Sequence, residues 1–124
     1  MKQDNLIYWA CTGLVSALML FSAFAYFTKP EMAEAFKHLG FPDYFRVELG
    51  IAKIIGVIIL LTPMISSRFK EWAYFGFSVV CISAIIAHLS SGDGMGGAGL
   101  PLFALVLLCV SYIYYHKLQA TPVV

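Results

Sequence analysis

Four long apolar segments in this 124-residue sequence limit the folds that the chain can adopt. They cover residues 6–27, 45–62, 71–89 and 100–118. A hydrocarbon core of about 30 Å is crossed by about 20 helical residues, so each segment is long enough, or nearly so, to span a bilayer. Only 12% of the residues are charged, against about 25% in soluble domains. The sequence therefore predicts an all-α membrane protein, with one domain over residues 1–124 that forms a four-transmembrane-helix bundle.

The first apolar segment also has to be compared with a secretory signal peptide, because a lysine precedes it near the start of the chain. Its apolar run of some 20 residues is longer than the roughly 7–15 residues of a signal-peptide core. The run ends in YFTKP without the small residues that a signal peptidase requires. We interpret it as a retained first span.

The connection between the first two spans is polar but patterned like a helix. Thr28 and Glu31 have the spacing of a capping box. Its larger apolar residues recur at helical intervals, at Met32, Phe36 and Leu39. This pattern predicts a short amphipathic helix lying on the membrane surface between spans 1 and 2.

The other two connections differ in composition. The connection at residues 63–70 is short and basic. Residues 90–99 read SSGDGMGGAG, a composition that predicts a flexible loop. Pro101 is then expected in the first turn of span 4. An even number of spans puts both termini on one side, which would hold Lys2, Arg68, Lys70 and Lys117. The other side would hold fewer basic residues, so we expect cytoplasmic termini and an integral protein of the bacterial plasma membrane.

Three charged residues in or at the edge of the second span are the most informative part of the sequence: Arg46, Glu48 and Lys53. A charge at the centre of a spanning helix costs roughly 2.5–3.5 kcal/mol on insertion scales, so such residues are functional candidates. Glu48 and Lys53 lie about 140° apart around a helix and cannot readily neutralise each other. Each needs another partner, in an interhelical ion pair or in a ligand; both interpretations remain open.

The alternation of spans brings several polar residues to one membrane face. They are Ser22, Tyr26, Arg46, Glu48, His88 and Asp93, with Lys53 about 7–8 Å deeper than Glu48. We therefore predict a polar pocket around Glu48, lined by His88, Tyr26 and Lys53, that binds a polar headgroup or moves a proton. A buried hydrogen bond without chemistry would give the same pattern. A stripe of small and hydroxyl residues on the first span, which includes Thr12 and Ser16, is interpreted as helix packing.

No cofactor motif accompanies these residues. The three cysteines form no Cys-x-x-Cys pair. His88 and His116 end antiparallel spans on opposite faces and His38 lies in a connection, so a bis-histidine haem site is not expected. A net charge of +1 gives no indication of a nucleic-acid partner.

The strings LGFPDYFRVELGIAKIIG, KEWAYFGF and SAIIAHLSSGD resemble the DoxX-like family of small four-helix membrane proteins. The resemblance runs from Tyr8 to Tyr115. It implies a four-span bundle, and relatives are linked to a thiosulfate–quinone oxidoreductase, to oxidative-stress complexes and to a receptor chaperone. A redox role would then depend on a partner subunit or a bound quinone.

Three functions follow from these observations and the resemblance. The first is a binding or accessory bundle for a lipid, quinone or other small hydrophobic molecule, favoured because no catalytic constellation appears. The alternatives are a quinone-linked membrane oxidoreductase subunit and a small transporter, which would need a homo-oligomer to form a pore. The expected partners are the lipid bilayer and a second copy or another membrane protein.

Overall fold

Five helices make up almost all of residues 2–120, which the computed structural model describes. They are α1 (Lys2–Thr28), α2 (Pro30–His38), α3 (Asp43–Leu61), α4 (Ser67–Ser90) and α5 (Gly94–Ala120). No strand occurs within residues 2–120. The prediction of an all-helical fold with a short extra helix after the first long one is confirmed.

The four long helices form an antiparallel ring in which α1 and α4 each pack against both α3 and α5. Neighbouring helices run in opposite directions, so residues near the start of one helix contact residues near the end of the next. Thr12 bonds Ser111, for example, while Asp4 lies 3.5 Å from Lys117. Residues 2 and 120 therefore lie at the same end, called here the terminal end. The opposite end, which carries α2 and the turn after α4, is called the α2 end.

The core runs along the axis of the ring. Val15, Leu60 and Leu108 are almost completely buried, and the Phe77 ring of α4 lies against Gly56 of α3. Large apolar side chains such as Phe75 and Ile113 point outward instead. An apolar exterior around a packed interior is the arrangement that a lipid solvent requires.

Three of these helices are long and apolar enough to cross a membrane: Lys2–Thr28, Ser67–Ser90 and Gly94–Gln119. Helix α3 is not among them, although it forms the fourth wall of the ring. It carries Arg46, Glu48 and Lys53 within 19 residues. The predicted fourth span is therefore not established by length and composition.

Helix α2 has the predicted position but not the predicted cap. Thr28 is the last residue of α1 and its hydroxyl donates to the carbonyl of Phe24, so the proposed capping box with Glu31 does not form. The helix starts directly at Pro30, without a side-chain cap. It ends where Gly40 adopts φ +88°, a left-handed conformation that glycine tolerates. Phe36 is buried and meets Tyr26 edge to face at 4.8 Å.

The glycine-rich segment is helical, which corrects the predicted flexible loop. Helix α5 begins at Gly94, so Pro101 lies inside it and not in its first turn. Glycine costs about 1 kcal/mol relative to alanine in a helix, which is why the composition favoured a loop. Packing reverses that preference, because a Cβ on Gly97 would collide with the imidazole ring of His88. The missing side chain lets α5 approach α4 closely.

Candidate functional site

The inward face of α3 carries one charged residue among small and apolar ones. Its buried residues are Gly50, Lys53, Gly56, Val57 and Leu60. Gly50 lies against the Phe27 ring of α1 and Gly56 against the Phe77 ring of α4. These close approaches fix the rotation of α3, and that rotation turns Lys53 into the bundle.

The ammonium group of Lys53 is held at the seam between α1 and α3. Its Nζ donates to the Tyr26 hydroxyl at 2.7 Å and to the Ser22 hydroxyl at 2.9 Å. It also lies 4.4 Å from the centre of the Tyr26 ring, within the range of a cation–π contact. Lys53 and Tyr26 are only 6% and 7% exposed, whereas Ser22 is half-buried and opens the seam to the outside.

Helical side chains lean toward the N-terminus of their own helix, so Lys53 points toward the α2 end while Tyr26 points away from it. The ammonium therefore lies at the level of Ser22 and Tyr26, which is nearer to the α2 end than the backbone of Lys53. Ser22 is six residues before the end of α1, or about 9 Å at 1.5 Å per residue. The ammonium group therefore lies within about two helical turns of the α2 end.

Arg46 binds the backbone of the same tyrosine. Its guanidinium donates to the Tyr26 carbonyl and, at 3.0 Å, to a carboxylate oxygen of Asp43. Arg46 is thus paired, while no carboxylate within residues 2–120 lies at ion-pair distance from Lys53. We call Lys53, Ser22, Tyr26 and Arg46 the Lys53 site.

A second polar cluster closes the α2 end. Asp93 lies 2.8 Å from Nδ1 of His88 and 3.0 Å from Nε2 of His38. The turn explains the first contact, because the Asp93 amide donates to the His88 carbonyl and Gly92 between them has φ +82°. The hydrogen bonds with His88 and then His38 hold the pKa of Asp93 below its ordinary value. Asp93 thereby joins α2 to the end of α4.

A model of the DoxX-like family matches residues 10–111. The chain belongs to the DoxX-like family. It is an integral membrane protein, in agreement with its apolar helices. No curated protein and no solved structure matches the chain.

The residues that the sequence analysis selected in this DoxX-like protein fall into two clusters and one isolated position. Four form the Lys53 site, and His88 and Asp93 meet at the α2 end. Glu48 faces outward instead, and none of the residues 2–120 hydrogen-bonds or pairs with it. The predicted contacts of Glu48 with His88 or Tyr26 do not form, and Tyr26 and Ser22 contact Lys53 instead. The rotation that buries Lys53 puts Glu48, about 140° away, on the outside.

Two polar clusters of the DoxX-like protein were missed by the sequence analysis. The Ser111 hydroxyl bonds Thr12 at 2.6 Å and Tyr74 at 2.7 Å, which links three helices inside the core. At the terminal end, Glu71 bonds Tyr112 and His116. Helical spacing would have grouped Tyr112 and His116, which are four residues apart, but nothing in the sequence identifies Glu71 as their partner.

Among residues 2–120, no group of three His, Cys, Asp or Glu side chains is placed to hold a metal ion. Cys11, Cys81 and Cys109 are free thiols. The chemistry available at the Lys53 site is therefore hydrogen bonding and charge: an ammonium, two hydroxyls and an adjacent guanidinium.

Proposed function

We propose that this DoxX-like protein is a four-span membrane protein that binds a small amphiphile through the Lys53 site. Helix α3 would be the fourth span. Its 19 residues correspond to about 28 Å, close to the thickness of the hydrocarbon core. Its exposed surface beyond Glu48 is apolar, formed by Ile51, Ile54, Ile55 and Ile58. Burial of Lys53 removes the main obstacle to insertion.

With four spans both termini lie on one side, which we assign to the cytoplasm of a bacterial plasma membrane from the distribution of basic residues. Single cysteines at Tyr44 and Ser66, introduced into a cysteine-free variant, test this arrangement. Membrane-impermeant maleimide should label them from opposite sides of the membrane. Labelling of both from one side would disprove the fourth span.

The proposal rests on one observation: the Lys53 site contains more hydrogen-bond donors than acceptors. An ammonium has three N–H groups and no acceptor, and each hydroxyl has one O–H. Ser22 and Tyr26 accept two of the Lys53 N–H groups. Within residues 2–120, no acceptor takes the third N–H or either hydroxyl hydrogen. Each of these three polar atoms already takes part in at least one hydrogen bond, and its remaining hydrogens are positions that an added acceptor would fill.

A group that only accepts hydrogen bonds fits this arrangement. A carboxylate would also neutralise the Lys53 charge, and a quinone oxygen would satisfy the same donors without a charge. Half-buried Ser22 gives access from the side of the bundle, and the apolar exterior of α1 and α3 would contact the rest of the molecule. The ligand class is therefore an amphiphile with an acceptor head.

Mass spectrometry of the lipid extract of purified protein tests the proposal, and an absorbance spectrum distinguishes a quinone from a fatty acid. The wild type should carry one enriched compound of this class. Lys53→Met should reduce it at least tenfold, and Tyr26→Phe, which removes one donor, by roughly fivefold to tenfold. Lys37→Met, at an exposed position on α2, is the matched control.

Identical extracts from wild type and Lys53→Met would contradict the proposal. If Lys53→Met does not fold, Tyr26→Phe and Ser22→Ala decide the question, because each leaves the ammonium in place. Retention of the compound in both hydroxyl variants would show that it binds elsewhere.

A further inference from the structure

The polar cluster of Glu71, Tyr112 and His116 lies at the terminal end, between α4 and α5. The Glu71 carboxylate lies 2.6 Å from Nε2 of His116, and its other oxygen accepts a hydrogen bond from the Tyr112 hydroxyl at 2.9 Å. Glu71 is in the second turn of α4, and His116 is near the end of α5. The cluster therefore lies close to the level of the membrane surface.

A groove of about 350 Å³ extends from this cluster along the seam of the two helices. Glu71 and Tyr112 line its polar part, and Phe75, Leu108 and Ile113 line its apolar part. Phe75 and Ile113 are among the most exposed apolar residues of the bundle, which opens the groove toward lipid. A groove with a polar end and an apolar channel is complementary to an amphiphile, which has a polar head and an apolar chain.

The charge of the polar end selects the head group. A carboxylate has about four acceptor positions, and Tyr112 and His116 occupy two of them. Within residues 2–120, no lysine or arginine pairs with Glu71, and its ion-pair partner is His116 when that imidazole is protonated. The neighbouring Lys70 turns into the bundle, where it is 2% exposed and donates to the Leu60 carbonyl. Glu71 therefore presents a carboxylate with free acceptor positions at the mouth of an apolar groove.

We propose that the α4–α5 groove binds an amphiphile with a protonated amine head, with the amine on Glu71 and the chain against Phe75, Leu108 and Ile113. This site is separate from the Lys53 site. It lies at the other end of the bundle and selects a positively charged hydrogen-bond donor, whereas the Lys53 site selects a hydrogen-bond acceptor. Failure of either proposal leaves the other intact.

Cys109 provides a direct readout, because it is exposed and lines the groove, while Cys81 is buried. The rate of N-ethylmaleimide labelling of Cys109 would be measured in the Cys11→Ser protein, in detergent, by mass spectrometry. The probes are dodecylamine, dodecanol and dodecanoic acid, which share one chain and differ in the head. At neutral pH the amine is charged.

Dodecylamine should protect Cys109 at a concentration roughly tenfold lower than either other probe, as expected for one charge-assisted hydrogen bond. Glu71→Gln should abolish that preference, and the control Glu31→Gln, at an exposed position on α2, should keep it. Equal protection by all three probes, protection by none, or an unchanged preference in Glu71→Gln would overturn the proposal. The ranking of probes on the unaltered Glu71 remains decisive even if the glutamine variant does not fold.

Discussion

The contact between α3 and α4 at Gly56 allows a quantitative test of how closely these helices pack. A Cβ added at Gly56 would lie 2.5 Å and 2.8 Å from two ring carbons of Phe77. Carbon atoms in van der Waals contact are about 3.5–4.0 Å apart, so the ring would have to move by about 1 Å. Phe77 is only 4% exposed and has little room to move.

Gly56→Ala should therefore destabilise the bundle. Overpacking typically costs about 1–3 kcal/mol, and alanine regains about 1 kcal/mol of helix propensity, which leaves a net loss of about 0–2 kcal/mol relative to wild type and of about 1–3 kcal/mol relative to an alanine placed in open space. Gly50→Ala should cost less, because the Phe27 ring that it meets is 44% exposed and can swing into lipid. Gly76→Ala, with open space around the new Cβ, should be neutral or stabilising.

The free energy of unfolding would be measured by titration with sodium dodecyl sulfate in mixed micelles and followed by circular dichroism. Combining Gly56→Ala with Phe77→Leu should recover part of the loss, with a coupling energy of about 1 kcal/mol or more. If Gly56→Ala were as stable as Gly76→Ala, the close packing of α3 on α4 described here would be refuted.

Two further predictions concern the polar groups. Ser111→Ala should lower the free energy of unfolding by about 1–3 kcal/mol, because it leaves the buried Thr12 and Tyr74 hydroxyls without their shared partner. Ser16→Ala should be neutral or stabilising in the same titration, since that buried hydroxyl has no partner; equal losses would disprove the hydroxyl network. Asp93→Asn should lower the thermal unfolding midpoint at pH 7, and its difference from wild type should shrink as the pH falls through the folded-state pKa of Asp93. The sign follows because that pKa lies below the ordinary value of about 3.9, so the carboxylate stabilises the fold above that pH and ceases to do so once protonated. A difference that does not change with pH would exclude the Asp93 carboxylate as the cause.

The elements of the bundle could be predicted from the sequence because each one depends on a local pattern. Helices α1, α3 and α4 begin and end within about four residues of the predicted segments, and α2 follows from the spacing of Met32 and Phe36. Helix α5 starts earlier than expected. The glycines that favour a loop in isolation are helical here because Gly97 packs against His88.

The site was predicted only in part, and the reason is the lipid environment. In a soluble protein the apolar face of a helix is the buried one, whereas in a membrane both faces are apolar and periodicity does not identify the interior. The sequence by itself determined that Glu48 and Lys53 lie on different faces, because that depends only on the helical period. Which of them points inward was decided by the tertiary structure, through the close contacts at Gly50 and Gly56 that set the rotation of α3. Those contacts join residues far apart in the chain, and no local pattern records them.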